Sequence, residues 1–200
     1  MSAENQDGIY PVTDLTIIVR RALVTDAPAL PDIERSAAQL FRGDPSLAWL
    51  ADSPMPDAEH HQQAIKTGPV WVAQSAEGAL AGFLSAVEVD NQLHIQELSV
   101  SQPFQGRGIG RKLLLAAVSY ARGQELAGLT LTTFRDLPWN ELFYLRMGFA
   151  TLSPAETGPR LTRVLNDEIA HGLPGGRRCA MRFSLEPGPS NQPPLPGRTP

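Results

Sequence analysis

LHIQELSV (residues 93–100), SQPF (101–104) and QGRGIG (105–110) follow one another without a break, and the fold turns on how they are read. The first segment is short, apolar and ends on Val100, which predicts a strand over Leu93–Val100. After the glycines come Ile109, Leu113, Leu114, Ala117, Val118 and Ala121, at offsets that fall on one face of a helix. Gly106, Gly108 and Gly110 thus stand where that helix begins, leaving backbone N–H groups bare at the positive end of its dipole. Such a site suits an anion, phosphate or pyrophosphate above all. Arg107, Arg111 and Lys112 add positive charge to a chain whose net charge is -4. No Gly-Lys-Ser or Gly-Lys-Thr occurs, so this is not a nucleoside-triphosphate loop. The dinucleotide pattern G-x-G-x-x-G fails because Arg111 stands where its last glycine belongs. From the loop alone, a tight strand-to-helix turn with no ligand stays open.

Outward from the loop, TIIVRRAL (16–23) reads as a strand, and Thr25-Asp26 offers an N-cap for a helix carrying Leu30, Ile33, Ala37 and Leu40. A second helix is expected over Asp57–Lys66, stopped by Gly68-Pro69. Val70–Gln74 and Leu80–Glu88 read as strands joined at Glu77-Gly78, and Asp90-Asn91 turns the chain into Leu93–Val100. Beyond the loop helix, Thr130–Phe134 alternates as a strand does, and Asn140–Met147 reads as a short helix capped by Gly148 before Phe149 opens another strand. Arg160–Ile169 has helical spacing, while Arg178–Leu185 alternates like a half-buried last strand, with Cys179 on its apolar side.

Six of the 18 prolines lie between Pro187 and Pro200, a segment with little to bury, so 187–200 is expected to be a flexible tail, as is 1–14. One domain over 15–186 remains. The acidic balance argues against a nucleic-acid partner. No apolar run is long enough for a membrane span, and the polar start resembles no export signal, so a soluble cytoplasmic protein is expected. One cysteine allows no internal disulfide, and His60-His61 has no third ligand beside it, so no metal is assigned.

QGRGIG after LHIQELSV, followed by WNELFYLRMGFA (139–150), resembles the GNAT superfamily of acyl-CoA-dependent N-acetyltransferases. Gln105, Gly108 and Gly110 match its loop pattern, while Tyr144, Gly148 and Phe149 match its second signature. The resemblance covers about 16–150 and is similar in detail to a bacterial subgroup without an assigned substrate. It implies an α/β (α+β) fold: a central mixed, mostly antiparallel sheet flanked by helices, with a splay after the strand ending at Val100. It also implies acetyl-CoA as cosubstrate and an amine acceptor, and dimers are common in the family.

Carried onto these residues, the resemblance puts the pantetheine arm against the backbone of Leu98, Ser99 and Val100. The pyrophosphate falls in the N–H groups from Gln105 through Gly106, Arg107, Gly108 and Ile109 to Gly110, near Arg107, Arg111 or Lys112. Asn140 and Phe143 lie along the arm; Asn140 is equally suited to cap its own helix. Tyr144 matches the family's general acid, and Val100 N–H is expected to meet the thioester oxygen. The base is Glu97, a carboxylate in an apolar strand, or His94 with its better intrinsic pKa. Strict alternation puts these two on opposite faces, and a bulge would bring them together. Glu34, Phe41 and Trp49 are the candidates for the acceptor pocket, an acid for an ammonium and aromatics beside it, although the two aromatics also suit a plain core. The expected reaction is acetyl transfer to a primary amine of a small molecule, with a protein amine, or an acyl-CoA-binding module without turnover, as the alternatives.

Overall fold

Seven strands form one sheet in the order β1-β2-β3-β4-β5-β7-β6 in a computed structural model that describes residues 16–185. They are β1 (Ile17–Arg21), β2 (Val70–Ser75), β3 (Leu80–Val89), β4 (Gln92–Val100), β5 (Gly128–Phe134), β6 (Ala150–Thr151) and β7 (Arg178–Ser184). All pairings are antiparallel except β4 with β5, so the sheet is mixed and mostly antiparallel, with helices on both faces. The tails expected at 1–14 and 187–200 lie outside the described residues.

The helix after the glycine loop, designated α3 below, packs one face; the helices here called α1 (Leu30–Ala38), α2 (Ala58–Thr67) and α5 (Pro154–Ala170) cover the other. In α3 (Ile109–Gly123) the six apolar positions picked out by spacing are all buried. They meet Leu93, Ile95, Leu129, Leu131 and Met181 in the main core. Leu113 and Leu114 are fully buried, worth about 2 kcal/mol each in area removed from water. The short α4 (Glu141–Arg146) ends at Met147 and Gly148, whose φ of 91° is the left-handed cap its sequence predicts. Asp90 and Asn91 both take positive φ, 51° and 57°, the two-residue hairpin that matches strand twist.

Two local expectations differ. Thr25-Asp26 does not cap α1: the chain first makes a 3-10 segment, Val24–Ala29. Asp26 there accepts the Leu23 N–H at 2.7 Å and the Arg20 guanidinium at 2.7 and 2.9 Å, a pairing that pulls its carboxyl below the usual range. The helix starts at Leu30, with Pro31 in its first turn, where the missing N–H is harmless. The C-terminal helix reaches back to Pro154 through a break at Gly158 (φ 69°, ψ 167°).

Two features of β4 shape the site. Its register with β3 pairs Ser85 with Glu97 and Ala86 with Ile95, so Gln96 is an extra, bulged residue. The bulge puts His94 and Glu97 on the same face, that of α1, α2 and α5, while Leu98 and Val100 pack toward α3. Pairing with β5 covers only Gln92–His94, opposite Gly128–Thr130. From Ile95 onward the two strands part.

Candidate active site

The gap left by that splay opens into a cavity of about 850 Å³. On one side lies the glycine loop. Gly106 and Gly108 have φ of 75° and 74°, a left-handed conformation that favours glycine, and no heavy atom lies within 4 Å of a Cβ built on either. Gly108 is the residue before α3, and the first N–H groups of that helix have no partner within it. Gln105 Nε2 donates to Val100 O at 2.9 Å, tying the loop to the end of β4. Because Ser101 N–H donates to Ala81 O, antiparallel alternation turns the amides of Leu98 and Val100 toward the splay and that of Ser99 toward β3. A cradle of open glycine backbone beside an unpaired strand edge fits a pyrophosphate with an extended pantetheine arm.

Of the basic residues at the loop, Arg111 lines the cavity. Lys112 does not: its Nζ donates to Ile17 O at 3.3 Å, on the β1 side. Arg107 lies over the Phe104 ring at 5.9 Å, also off the cavity wall. Ile109 and Gly110 line it, and the Phe143 ring lies 3.6 Å from where a Gly110 Cβ would stand. Asn140 lines it too, and makes no side-chain cap bond, so the capping role its residue type allows is not taken.

Glu97 and Tyr144 both line the cavity. Burial pushes the Glu97 carboxyl up, against a hydrogen bond from Ser99 Oγ (2.7 Å), another from the Leu98 backbone, and the Arg178 guanidinium. Tyr144 is 8% exposed, its phenol raised above the usual 10 by burial and then by the Glu97 charge. Its ring is edge-on to Phe143 and Phe149. His94 is elsewhere: buried, with Nδ1 3.1 Å from Thr130 Oγ1, and pushed down to about 4 by burial and the nearby Arg160. It shares Glu97's face and does not line the cavity.

The acceptor side is built by α1, the 3-10 turns after it, β5 and β7. Glu34 and Phe41 line it; Phe41 packs edge-on against Phe134 (5.5 Å) and Trp139 (6.5 Å). Trp49 does not: it is 46% exposed and outside the cavity. Glu34 is raised to about 8 by burial and by the Glu97 charge. Three further lining residues come from the part of the chain that matches no motif, or from its partners. Arg178 reaches Glu168 with two hydrogen bonds, 2.9 and 2.8 Å, and lies 4.4 Å over the Phe134 ring; Thr132 Oγ1 donates to the same carboxylate at 2.5 Å. No spacing rule joins β5, α5 and β7 in advance. Cys179, on the apolar face of β7, is buried and its thiol pushed up to about 11. Among the described residues no group of three His, Cys, Asp or Glu is placed to hold a metal ion, and no helix is long and apolar enough to cross a membrane.

A mixed sheet that splays beside a glycine loop at a helix N-terminus is the framework of an acyl-CoA-dependent transferase. The chain belongs to the acetyltransferase (GNAT) family, whose model matches residues 35–149. It is 24% identical over 103 residues to the N-alpha-acetyltransferase RimI of Mycobacterium tuberculosis, a match spanning 50% of this chain and 65% of that protein. Its fold is similar to that of a GNAT-family acetyltransferase from Staphylococcus aureus Mu50 (TM-score 0.65, 17% identity, 85% of this chain and 99% of that one). It is also similar to that of the PaiA N-acetyltransferase from Thermoplasma acidophilum, solved with coenzyme A (TM-score 0.62, 17% identity, 86% and 100%).

Proposed function

We propose that the protein transfers acetyl from acetyl-CoA to the primary amine of a small molecule, by direct attack with both substrates bound. The observation that carries this reading is one cavity lined at once by the glycine loop, Glu97 and Tyr144. Loop N–H groups hold the pyrophosphate, Arg111 stands near it, and the splayed backbone at Leu98 and Val100 pairs with the pantetheine arm beside Asn140 and Phe143. This aims the thioester at the Glu97–Tyr144 wall.

An amine of lysine-like pKa, about 10.4, arrives as an ammonium and must lose a proton before it can attack. Glu97 is the base. Burial gives its carboxylate more affinity for a proton than an exposed one has, and it stands in the cavity where His94 does not. The free nitrogen adds to the thioester carbon, the oxyanion takes the Val100 N–H, and collapse breaks the C–S bond. Tyr144 keeps its phenolic proton at neutral pH and donates to the departing sulfur. Cys179, buried and outside the lining, forms no acyl intermediate.

A small acceptor suits a cavity that brings two carboxyls, Glu34 and Glu97, together with the Phe41 and Trp139 rings. The similarity to RimI favours a second reading, a peptide α-amine. The deciding experiment follows thiol release from acetyl-CoA with spermidine, tyramine and a hexapeptide bearing a free N-terminus. Turnover with the free amines and not the peptide supports the first reading, and the reverse supports the second. Acetyl-CoA binding with no turnover on any of them identifies a binding module.

A further inference from the structure

His61 is the one buried residue of α2, and its ring packs edge-on against Phe83 of β3. Its Nε2 lies 3.5 Å from Glu34 Oε2, and no hydrogen bond joins them. Both atoms are buried, and both lack any other partner. A buried polar atom without a partner is destabilising by about 1–3 kcal/mol, so two facing each other call for an explanation. They are not an ion pair in the free protein. Burial, with His60 adding to it, pulls the His61 imidazole down, and Asp57, the N-cap of the same helix, only partly opposes this; burial and Glu97 push Glu34 up to about 8. At neutral pH the carboxyl therefore holds the proton and the imidazole beside it is neutral, able to accept at Nε2 in its Nδ1–H tautomer.

Glu34 has a second surface. It lines the acceptor cavity, with Glu97 on the same wall, whereas His61 lies behind it, outside the lining. Glu34 is thus a bridge between the place where an ammonium must give up a proton and a ring that can take one.

We propose that His61 is the proton exit of the acceptor cavity, accepting through Nε2 the proton of Glu34 whenever an ammonium enters, so that both carboxyls face the cation ionised. This rests on the acetyl-transfer reading. The steps balance. As the ammonium arrives, the Glu34 O–H bond breaks and an N–H bond forms at His61 Nε2. The imidazolium then loses one proton to solvent. The acceptor's own N–H breaks, its electron pair staying on nitrogen and its proton going to the Glu34–Glu97 pair, and the amine attacks. One proton has moved from acceptor to solvent and each group is back at its starting charge; exchange with solvent returns the imidazole to the tautomer that leaves Nε2 free. His61 touches no reacting atom and acts through Glu34, as a positioning residue.

The test compares wild type, His61→Gln, Glu34→Gln and the double variant, with acetyl-CoA and spermidine or the hexapeptide, whichever wild type acetylates. Melting with and without CoA checks that each variant folds and keeps its cosubstrate site. In His61→Gln, Glu34 can be emptied only by bulk solvent. Its kcat/KM for the amine should fall about tenfold at pH 7 and recover to near wild type above pH about 8, with KM for acetyl-CoA unchanged. The double variant should be no worse than Glu34→Gln, because the two residues act as one unit. A His61→Gln profile that superimposes on wild type, or losses that multiply in the double variant, overturns the relay and leaves the transferase intact. Wild-type silence toward every amine overturns both.

Discussion

Gly108→Ala separates backbone strain from ligand binding. At φ 74° an alanine is strained by about 1–2 kcal/mol, and its methyl meets nothing within 4 Å, so strain is its whole effect on the free protein. Gly172, just past α5, is a matched control: φ 97°, nothing within 4 Å, and outside the cavity. For a domain of this size 1 kcal/mol moves the melting temperature by about 2–4 °C, so both alanine variants should melt about 2–8 °C below wild type. CoA at about 100 times its dissociation constant adds about 2.7 kcal/mol, or about 5–11 °C. Scanning calorimetry with and without CoA should find that response whole in Gly172→Ala and mostly lost in Gly108→Ala, which changes the backbone of a residue lining the cavity. A full CoA response in Gly108→Ala would falsify the assignment of the loop to the pyrophosphate.

Tyr144→Phe removes a hydroxyl that makes no hydrogen bond among the described residues, so its melting should change little while kcat falls about 10²-fold or more in the thiol-release assay. Glu34→Gln tests a linkage. The folded chain holds this carboxyl above its usual 4.5, at about 8, so the native state binds a proton that the unfolded chain has lost between those values. The group's stabilisation is whole below about pH 4.5 and disappears as pH rises through about 8. Melting of the variant should therefore decline less than wild type over that window; identical slopes would place Glu34 in water. Cys179 should resist iodoacetamide in the native protein and react on unfolding, read by mass spectrometry.

Short-range signals in the chain carried the framework. The α3 stripe, the Gly148 cap and the glycine loop each depend on neighbours within a dozen residues, and all three appear where spacing puts them. The bulge at Gln96 could be named as a possibility but not located, because it is set by where Ser85 and Ala86 fall opposite. It is this register that joins Glu97 to the acceptor side. Trp49 looked like a pocket aromatic by residue type, yet Phe41 and Trp139 hold the wall and Trp49 faces solvent. Lys112 belonged by charge to the loop, and the helix turns it to Ile17 O. The α5 start has a local signature, since Ser153 and Glu156 form a capping box, with Ser153 Oγ donating to the carboxylate at 2.6 Å. Glu168 with Arg178, and Glu34 with His61, are pairs made by tertiary packing, and no local pattern announces them.

The most direct measurement mixes the protein with acetyl-labelled acetyl-CoA and the amine panel and follows the label. Direct transfer predicts label on the acceptor nitrogen in step with one equivalent of CoA, none retained on the protein, and the same result in Cys179→Ser. Label held on the protein, or CoA released with free acetate and no acetylated amine, would contradict it.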